Sequence, residues 1–572
     1  MLALTLPPAL LEPPPAESLG VLLERARKAR DHGNYPGAIQ AYDAMLSQVP
    51  THETALLERA ETLGWAQQFV AAREGYLAFR KAFPARALTA DLALARLAAW
   101  QDHSAEALAI LDPWIKQEQR QAVLDAAKYL SWGGRLPESL VQTRRWLVTH
   151  PEDLEAMLLE ARVLSWAGLN AQARGSFYRV LTLDKTNREA LIGLARLALW
   201  EGNTKAARQM VGVMPPEVLA HPEAQVVLAQ VEVAEGKTRS ALSRARTQAE
   251  SGPAQRDATE LRDDLVRAFG PWVEITANRT DTSEGLRTET PSLRARVPLG
   301  DGALTLASSI HRVKFNGDEH QPSETSIGVA YPMGWGLNAT GIFNRVSDVG
   351  GVSASGYVLG LGYTLSPGLD LTVNRERSYA LFTPQALAFR TVFVSTDLGA
   401  TWRFGQGRHA VNGSVGQTDV TASGGISVLT STRRSHALSY EFRFPVTLFD
   451  LRGGLLTRSF GYSQTLPLGF FNPESYRWDG AFTTATWRRG RIFEVMVGAQ
   501  TGSQTVNGGH SQFTWAYRTG LTWCPPSCPL DYSIWWTQSQ AGLPVTTPLD
   551  PSAYREHTLG FSLKLRGTHW IW

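Results

Sequence analysis

Twelve histidines and two cysteines are the metal ligands and nucleophile partners available to this 572-residue chain. No histidine falls at ligand spacing from a cysteine, and two cysteines cannot form a four-cysteine zinc site. There is no glycine-rich phosphate loop ending in Lys-Ser/Thr, no His-Glu-x-x-His and no Gly-x-Ser-x-Gly. His311, His436 and His557 could each assist a serine in a hydrolase at a membrane rim, and solvated polar residues are the simpler expectation. Cys524 and Cys528 bracket Pro525-Pro526-Ser527 in a short turn. An oxidising compartment favours a local disulfide there, although a three-residue spacer is tight. No third ligand lies nearby to make a metal or redox centre. The expectation is therefore a protein that is not an enzyme and needs no cofactor.

Charge and composition narrow the remaining classes. The net charge of +3 is too balanced for nucleic acid to be the main partner. With 43% hydrophobic and 19% charged residues, the chain is not a disordered polyelectrolyte. No window approaches 18 consecutive apolar residues, which excludes a transmembrane helix. A transmembrane β-barrel stays open, because its outward apolar residues alternate with polar ones. The length predicts two to four domains. Up to about residue 250, Ala, Leu, Glu and Arg dominate; beyond it, Gly, Thr, Ser, Val and aromatics take over. Helix formers give way to strand formers.

The first part repeats. Trp65, Trp100, Trp132, Trp166 and Trp200 are spaced 35, 32, 34 and 34 residues apart. Each closes the pattern Ala-x-x-(Leu/Ala)-x-Trp, as in Ala60-x-x-Leu63-x-Trp65 and Ala127-x-x-Leu130-x-Trp132. One period outward the pattern falls on Ala26 and, at the other end, on Ala229. Seven residues after each end point stands a small residue: Ala38, Ala72, Ala107, Ser139, Ala173, Ala207 and Ala241. Small residues on both helices of a pair let the backbones approach closely. The period resembles the tetratricopeptide repeat, a helix–turn–helix solenoid of about seven units here. The tryptophans are expected to pack between repeats; a sugar-stacking ladder would require them to be exposed on the concave face.

The second part alternates. Leu438, Tyr440, Phe442 and Phe444 oppose Ser439, Glu441 and Arg443; Leu559, Phe561, Leu563 and Leu565 oppose Gly560, Ser562 and Lys564. About sixteen such segments run from 271 to 566, joined alternately by short turns and longer loops. An even number of long strands with turns at one end and loops at the other is the pattern of outer-membrane barrels. The fold class is therefore multidomain: an N-terminal α-solenoid followed by a 16-strand antiparallel transmembrane β-barrel. An even count puts the helical array and the C-terminus on the short-turn, periplasmic side. Parity aims Arg294, Arg296, Asp370, Glu376, Asp397, Arg403, Glu441, Arg443, Asp479, Glu494, Asp531 and Lys564 at the lumen. It turns Tyr331, Trp402, Phe404, Tyr440, Tyr532 and Trp536 outward as girdle anchors. Mixed charge on the inner wall suits a neutral or weakly charged glycan, or a salt-bridge network across a narrow lumen.

Repeats followed by a sixteen-strand barrel resemble the exopolysaccharide export proteins of the outer membrane, among them the cellulose, poly-N-acetylglucosamine and Pel exporters. The wording Leu130-Ser131-Trp132-Gly133-Gly134-Arg135 and Leu164-Ser165-Trp166-Ala167-Gly168 resembles the repeats of the YaiO-type outer-membrane β-barrel family. The resemblance implies an outer-membrane pore with a periplasmic docking arm. Its implied partners are outer-membrane lipid, a secreted polysaccharide and synthase components of the periplasm or inner membrane. The closing Trp570-Ile571-Trp572 resembles the C-terminal aromatic signal of such barrels. Four segments are expected: 1–16, a Pro-rich leader or clipped signal remnant; 17–250, the periplasmic repeats; 251–270, a linker; and 271–572, the barrel. Residues 2–11 look like part of an export-signal core, with no Lys or Arg before Arg25. A cytosolic array fused to a soluble β-domain is the alternative to export. A structural or adhesive barrel, its repeats binding a periplasmic protein, is the alternative to transport. The aromatic loop 465–475 bears on the latter, either as a ligand site or by packing over the mouth.

Overall fold

The computed structural model describes residues 17–250, 256–334, 336–349, 351–405, 407–424, 427–446, 448–490, 492–525, 529–540 and 555–567. The expected leader, the C-terminal aromatics and Cys528 lie outside the described residues. The chain forms two compact units, one ending at Gly193 and the other beginning at Leu194.

In the first unit the repeat period becomes helix pairs. These are α1 (Leu19–Asp31) with α2 (Tyr35–Gln48), α3 (Glu53–Trp65) with α4 (Phe69–Ala82), and α5 (Ala87–Trp100) with α6 (Ser104–Lys116). Then come α7 (Arg120–Trp132) with α8 (Leu136–Thr149), and α9 (Leu154–Trp166) with α10 (Asn170–Leu183). The small residues set by the period are fully buried in every pair: Ala26 and Ala38, Ala60 and Ala72, Ala95 and Ala107, Ala127 and Ser139, Ala161 and Ala173. The Ser139 hydroxyl donates to the Ala127 carbonyl at 2.6 Å, a measure of how closely the two backbones approach. Each turn needs a left-handed residue two places after its tryptophan. Gly134 and Gly168 supply it at φ 74° and 71°, and Gln67 and Asp102 adopt it at 60°.

The tryptophans themselves are a correction. Trp65, Trp100, Trp132 and Trp166 are only half buried between repeats: each is 40% to 49% exposed, with Trp100 leaning on Gly64 of the preceding repeat. The reason is angular. At 3.6 residues per turn, a position five residues past the buried alanine lies about 140° around the helix from it. The position three residues past it lies about 60° away, and there Leu63, Leu130 and Leu164 are buried instead. Tyr42, Tyr76, Phe79, Tyr129, Trp146 and Phe177 supply the bulky core.

The second unit opens with α11 (Arg188–Trp200), of which it takes the C-terminal part. Then follow α12 (Thr204–Gly212), α13 (Pro216–Leu219), α14 (Pro222–Ala234), α15 (Thr238–Glu250) and α16 (Arg256–Phe269). Trp200 is 54% exposed, so the same correction applies to it. The stretch expected to be a linker is mostly α16. Leu261, Leu265, Val266 and Phe269 recur at helical spacing and close over Ala229, Ala241, Leu242 and Ala245 of the last pair.

The strands are β1 (Trp272–Thr282), β2 (Arg287–Leu299), β3 (Gly302–Ile310), β4 (Arg312–Phe315), β5 (Asp318–His320), β6 (Ser323–Gly334), β7 (Leu337–Val349), β8 (Val352–Ser366) and β9 (Leu369–Tyr379). A short helix α17 (Pro384–Ala388) precedes β10 (Val392–Phe404), β11 (His409–Gly424), β12 (Ser427–Phe444), β13 (Asp450–Tyr462), β14 (Tyr476–Arg489), β15 (Phe493–Val506), β16 (Gln512–Trp523), β17 (Leu530–Ser539) and β18 (Glu556–Arg566). All neighbours are antiparallel, and β1 pairs with both β2 and β18, closing the ring. β3 and β4 form one barrel strand broken at His311, whose N–H bonds the Pro322 carbonyl at 2.8 Å; β5 and β6 form its partner. The barrel therefore has sixteen strands. Ile275, Leu359, Leu398, Val415, Leu455, Val497 and Ile534 stand exposed on one face of the sheet, as the outer surface of a membrane barrel requires. No helix among the described residues is long and apolar enough to cross a membrane.

Asp153 ties two repeats together. Arg120 donates to it at 2.8 Å through both Nε and Nη2, Trp146 Nε1 at 2.9 Å, and the Ala156 amide at 3.2 Å as an N-cap. Burial would raise this carboxyl; the donors outweigh it and hold it down at about 2, against about 3.9 for a free aspartate. A depressed folded value means stabilisation present above pH 4 and lost as pH falls towards 2. Asp153→Ala should cost the repeat array about 1 kcal/mol at pH 7. In thermal melts the gap between the two proteins should narrow between pH 4 and pH 2.

Candidate functional site

The candidate site is the inner wall of the barrel. Residues paired directly across a ladder share a face, so register assigns each side chain. Exposed Leu398 pairs with exposed Val373, so its neighbours Asp397, Arg403, Asp370 and Glu376 point inward. Glu274 pairs with both Arg294 and Lys564, and Trp272 with Arg296; opposite parity to exposed Val273 and Ile275 puts all of them inside. The same argument places Glu441, Arg443, Glu494 and Asp531 on the inner face.

Asp479 is a correction. It pairs with Thr457, and Thr457 pairs with exposed Leu438, so Asp479 faces outward. There it accepts from Thr457 Oγ1 at 2.6 Å and Arg477 Nε at 2.7 Å, near the loop end of its strand. The inward position on β14 belongs to Trp478, which is 1% exposed and donates from Nε1 to Thr514 Oγ1 at 2.7 Å. Its ring fits because Gly480 and Gly502 stand opposite each other. A Cβ on Gly502 would meet the ring at 2.8 Å.

Many of the inner charges are paired. Arg403 meets Asp370 at 2.5 Å, Arg443 meets Asp450 at 2.7 Å, Arg488 meets Glu494 at 2.5 Å and Lys564 meets Glu274 at 3.0 Å. Arg452 bridges Asp450 and Glu441. Between the charges run hydroxyls and amides: Thr280 with Thr558 at 2.7 Å, Ser395 with Thr418 at 2.9 Å, and Thr401 donating to Asn412 at 3.0 Å.

At the end where α16 enters the barrel, arginines hold the helix. Arg296 donates to the Ala268 carbonyl at 2.6 Å and Arg566 to the Arg267 carbonyl at 2.7 Å. These are terminal helix carbonyls with no partner in the helix, and cations suit the negative end of its dipole. Arg566 also pairs with Asp531. Cys524 lies just past β16; burial, then the neighbouring Asp531, push its thiol up to about 11. The expected pairing with Cys528 falls outside the described residues.

The loop end carries residues that parity alone did not single out. Arg433 lies 4.6 Å over the Phe460 ring and Arg458 5.1 Å over Trp478. Phe460 stacks on Tyr476 at 4.8 Å, and Phe471 packs edge-on to Tyr476 at 5.5 Å. The signal available in sequence was the recurrence of Arg and aromatics on one parity of β12, β13 and β14. The loop around 465–475 packs over this wall. Leu466 and Leu468 are buried with Val420, Ala422 and Tyr462, and Thr383 Oγ1 donates to the Leu468 carbonyl at 2.9 Å. Leu387 of α17 packs on Val313, Val346 and Val349. Both loops thus fold onto inward-facing residues.

The three histidines separate. His311 sits inside, 3.7 Å from Glu324 and 3.0 Å from Ser309. His557 lies 3.7 Å from Asp281. His436 hydrogen-bonds Ser459 on the outer face, and among the described residues no carboxylate orients its other nitrogen, as the third member of a triad would. No group of three or more His, Cys, Asp or Glu side chains positioned to hold a metal occurs among the described residues. Of the expected girdle aromatics, Tyr331, Trp402, Tyr440 and Trp536 are exposed. Phe404 packs on Trp402 at 4.6 Å and Tyr532 on Trp523 at 5.3 Å.

The model for the tetratricopeptide repeat family matches residues 167–231. No curated protein matches the chain. Among solved structures, the chain is similar to a bacterial polysaccharide outer membrane secretin, at 13% identity over 52% of this chain and 99% of that one, TM-score 0.43. It is also similar to OpdO of Pseudomonas aeruginosa, at 10% identity over 52% and 95%, TM-score 0.32. A tetratricopeptide repeat protein from Parabacteroides merdae is similar at 14% identity over 43% and 98%, TM-score 0.34. The architecture is a helical repeat region, matched in part by the tetratricopeptide repeat model, followed by a closed sixteen-strand antiparallel barrel.

Adjacent substitutions on β10 test the wall. In a background with both cysteines replaced by serine, Asp397→Cys should react with a water-soluble thiol reagent in reconstituted vesicles. Leu398→Cys, one residue on, should be shielded by lipid; equal labelling of the two would refute the register.

Proposed function

We propose that the chain is an outer-membrane export channel for a neutral or weakly charged polysaccharide, with its helical repeats in the periplasm. The observation that carries the reading is the inner wall. Its hydroxyls and amides match the hydrogen-bonding surface of a sugar chain. Its charges are of both signs and many are paired, so no ring of one sign binds a polyanion tightly or repels it. The repeats supply an arm of the kind that binds partners, and synthase components are the expected ones. The YaiO-type wording around Trp132 and Trp166 agrees with such a barrel. The reading assigns no catalytic step and no cofactor to the chain.

A strain lacking the gene, assayed separately for secreted and periplasmic glycan, tests it. Secreted polymer should fall and periplasmic polymer accumulate. Unchanged secretion would remove the reading.

The apolar loops packed onto the loop end of the wall favour a second reading, a barrel closed at its outer mouth that serves a structural or adhesive role. The two readings differ in conductance. If the loop is a gate, Leu466→Asp with Leu468→Asp should release it and raise single-channel conductance several-fold in planar bilayers. An equally silent variant would support a plugged barrel.

A further inference from the structure

Trp65, Trp100, Trp132 and Trp166 end the first helix of four successive repeats, and all are 40% to 49% exposed. An indole left in water forgoes much of its burial energy, and a repeated series of them marks a binding surface. The first helices of successive repeats touch one another, α5 with α7 and α7 with α9, and each ring stands at the C-terminal end of such a helix. The layers recur at about one helix-packing distance, 8–10 Å. A small residue precedes each ring: Gly64, Ala99, Ser131 and Ser165. At the first of these the next ring leans in, with Trp100 3.5 Å from the point where a Gly64 Cβ would be.

Each of the first three rings has a cation on one side. The Arg30 guanidinium is 5.6 Å from the Trp65 centroid, Arg96 is 5.5 Å from Trp100, and the Lys128 ammonium is 5.3 Å from Trp132. Such a cation holds the ring in place. Arg30 and Arg96 are themselves paired, with Glu58 and Glu61, each at 3.4 Å. Arg162, one turn before Trp166, pairs with Glu189 at 3.4 Å. The surface therefore offers flat apolar faces at regular intervals; the arginines near Trp65, Trp100 and Trp166 are paired with carboxylates, and Lys128 adds a cation beside Trp132.

We propose that these four tryptophans form a stacking ladder for a neutral, repeating glycan chain. Identical sites at a fixed interval suit a polymer of identical units; a peptide would present a different side chain at each step. Three paired arginines and a single lysine make a weak field for a polyanion. The inference deepens the export reading and rests on it, the ladder taking the same polymer that the barrel passes.

The test is calorimetric titration of the full-length protein in detergent with three probes: a β-linked glucose hexamer, an N-acetylglucosamine hexamer and an anionic uronate hexamer. A neutral hexamer should bind. Affinity should fall at least tenfold in the combined Trp65→Ala, Trp100→Ala, Trp132→Ala, Trp166→Ala variant and be partly retained in the corresponding Phe variant. The rings lie outside the core, so helical circular dichroism should be unchanged. No binding of either neutral hexamer, binding of the uronate alone, or equal affinity in the Ala variant would each overturn the ladder. The secretion assay separates the two ideas. A gene required for secretion whose product binds no hexamer through these rings leaves export standing and removes the ladder. Ring-dependent binding by a protein dispensable for secretion does the reverse.

Discussion

The closing pair of strands is the constraint on which the barrel depends. β1 follows α16 directly and must bond β2 on one edge and β18, about 280 residues further along, on the other. Until that pairing forms, two strand edges are open to unintended partners. The seam is reinforced from inside. Lys564 reaches Glu274 and lies 4.8 Å over the Trp272 ring, while Arg566 spans Asp531 and the end of α16. Arg296, from β2, takes the other helix carbonyl. The helix therefore enters the barrel bound to strands on both sides of β1, and closure and helix docking stabilise each other.

That coupling explains why the compact units divide at residue 193 rather than where composition changes. The last repeats pack on α16, and α16 is held by the barrel. The Arg239 amide, at the start of α15, also donates to Asp301 in the β2–β3 turn at 2.8 Å. The helices nearest the barrel behave as part of its rim, while the preceding repeats form a separate body held by alanine contacts and by inter-repeat ties such as Asp153.

Inside the barrel, two chemistries are segregated. Paired charges and hydroxyls line most of the wall, whereas arginines stacked on aromatics concentrate at the loop end beneath two apolar loops. A stacked guanidinium keeps its charge while offering a flat, weakly hydrated surface. Such a surface lies where the two loops fold onto the wall.

The 34-residue period, the buried small residues and the number and alternation of the strands were all legible in the sequence. They are local or strictly periodic, and backbone geometry maps them directly onto helix faces and sheet faces. Absolute orientation is a long-range property. Alternation says that Trp478 and Asp479 face opposite ways, but only pairing through Thr457 to Leu438, and the room made by Gly480 and Gly502, decides which one is inside. For Trp65 and its counterparts, the period marked the positions, whereas burial depended on the angle between each position and the neighbouring helices. Helix α16 lies outside the Trp/Ala period, although its apolar residues recur at helical spacing and pack on the pair that precedes it. Patterning set what each residue could face; long-range pairing set what it does face, because the partners that fill or leave a space come from distant sequence.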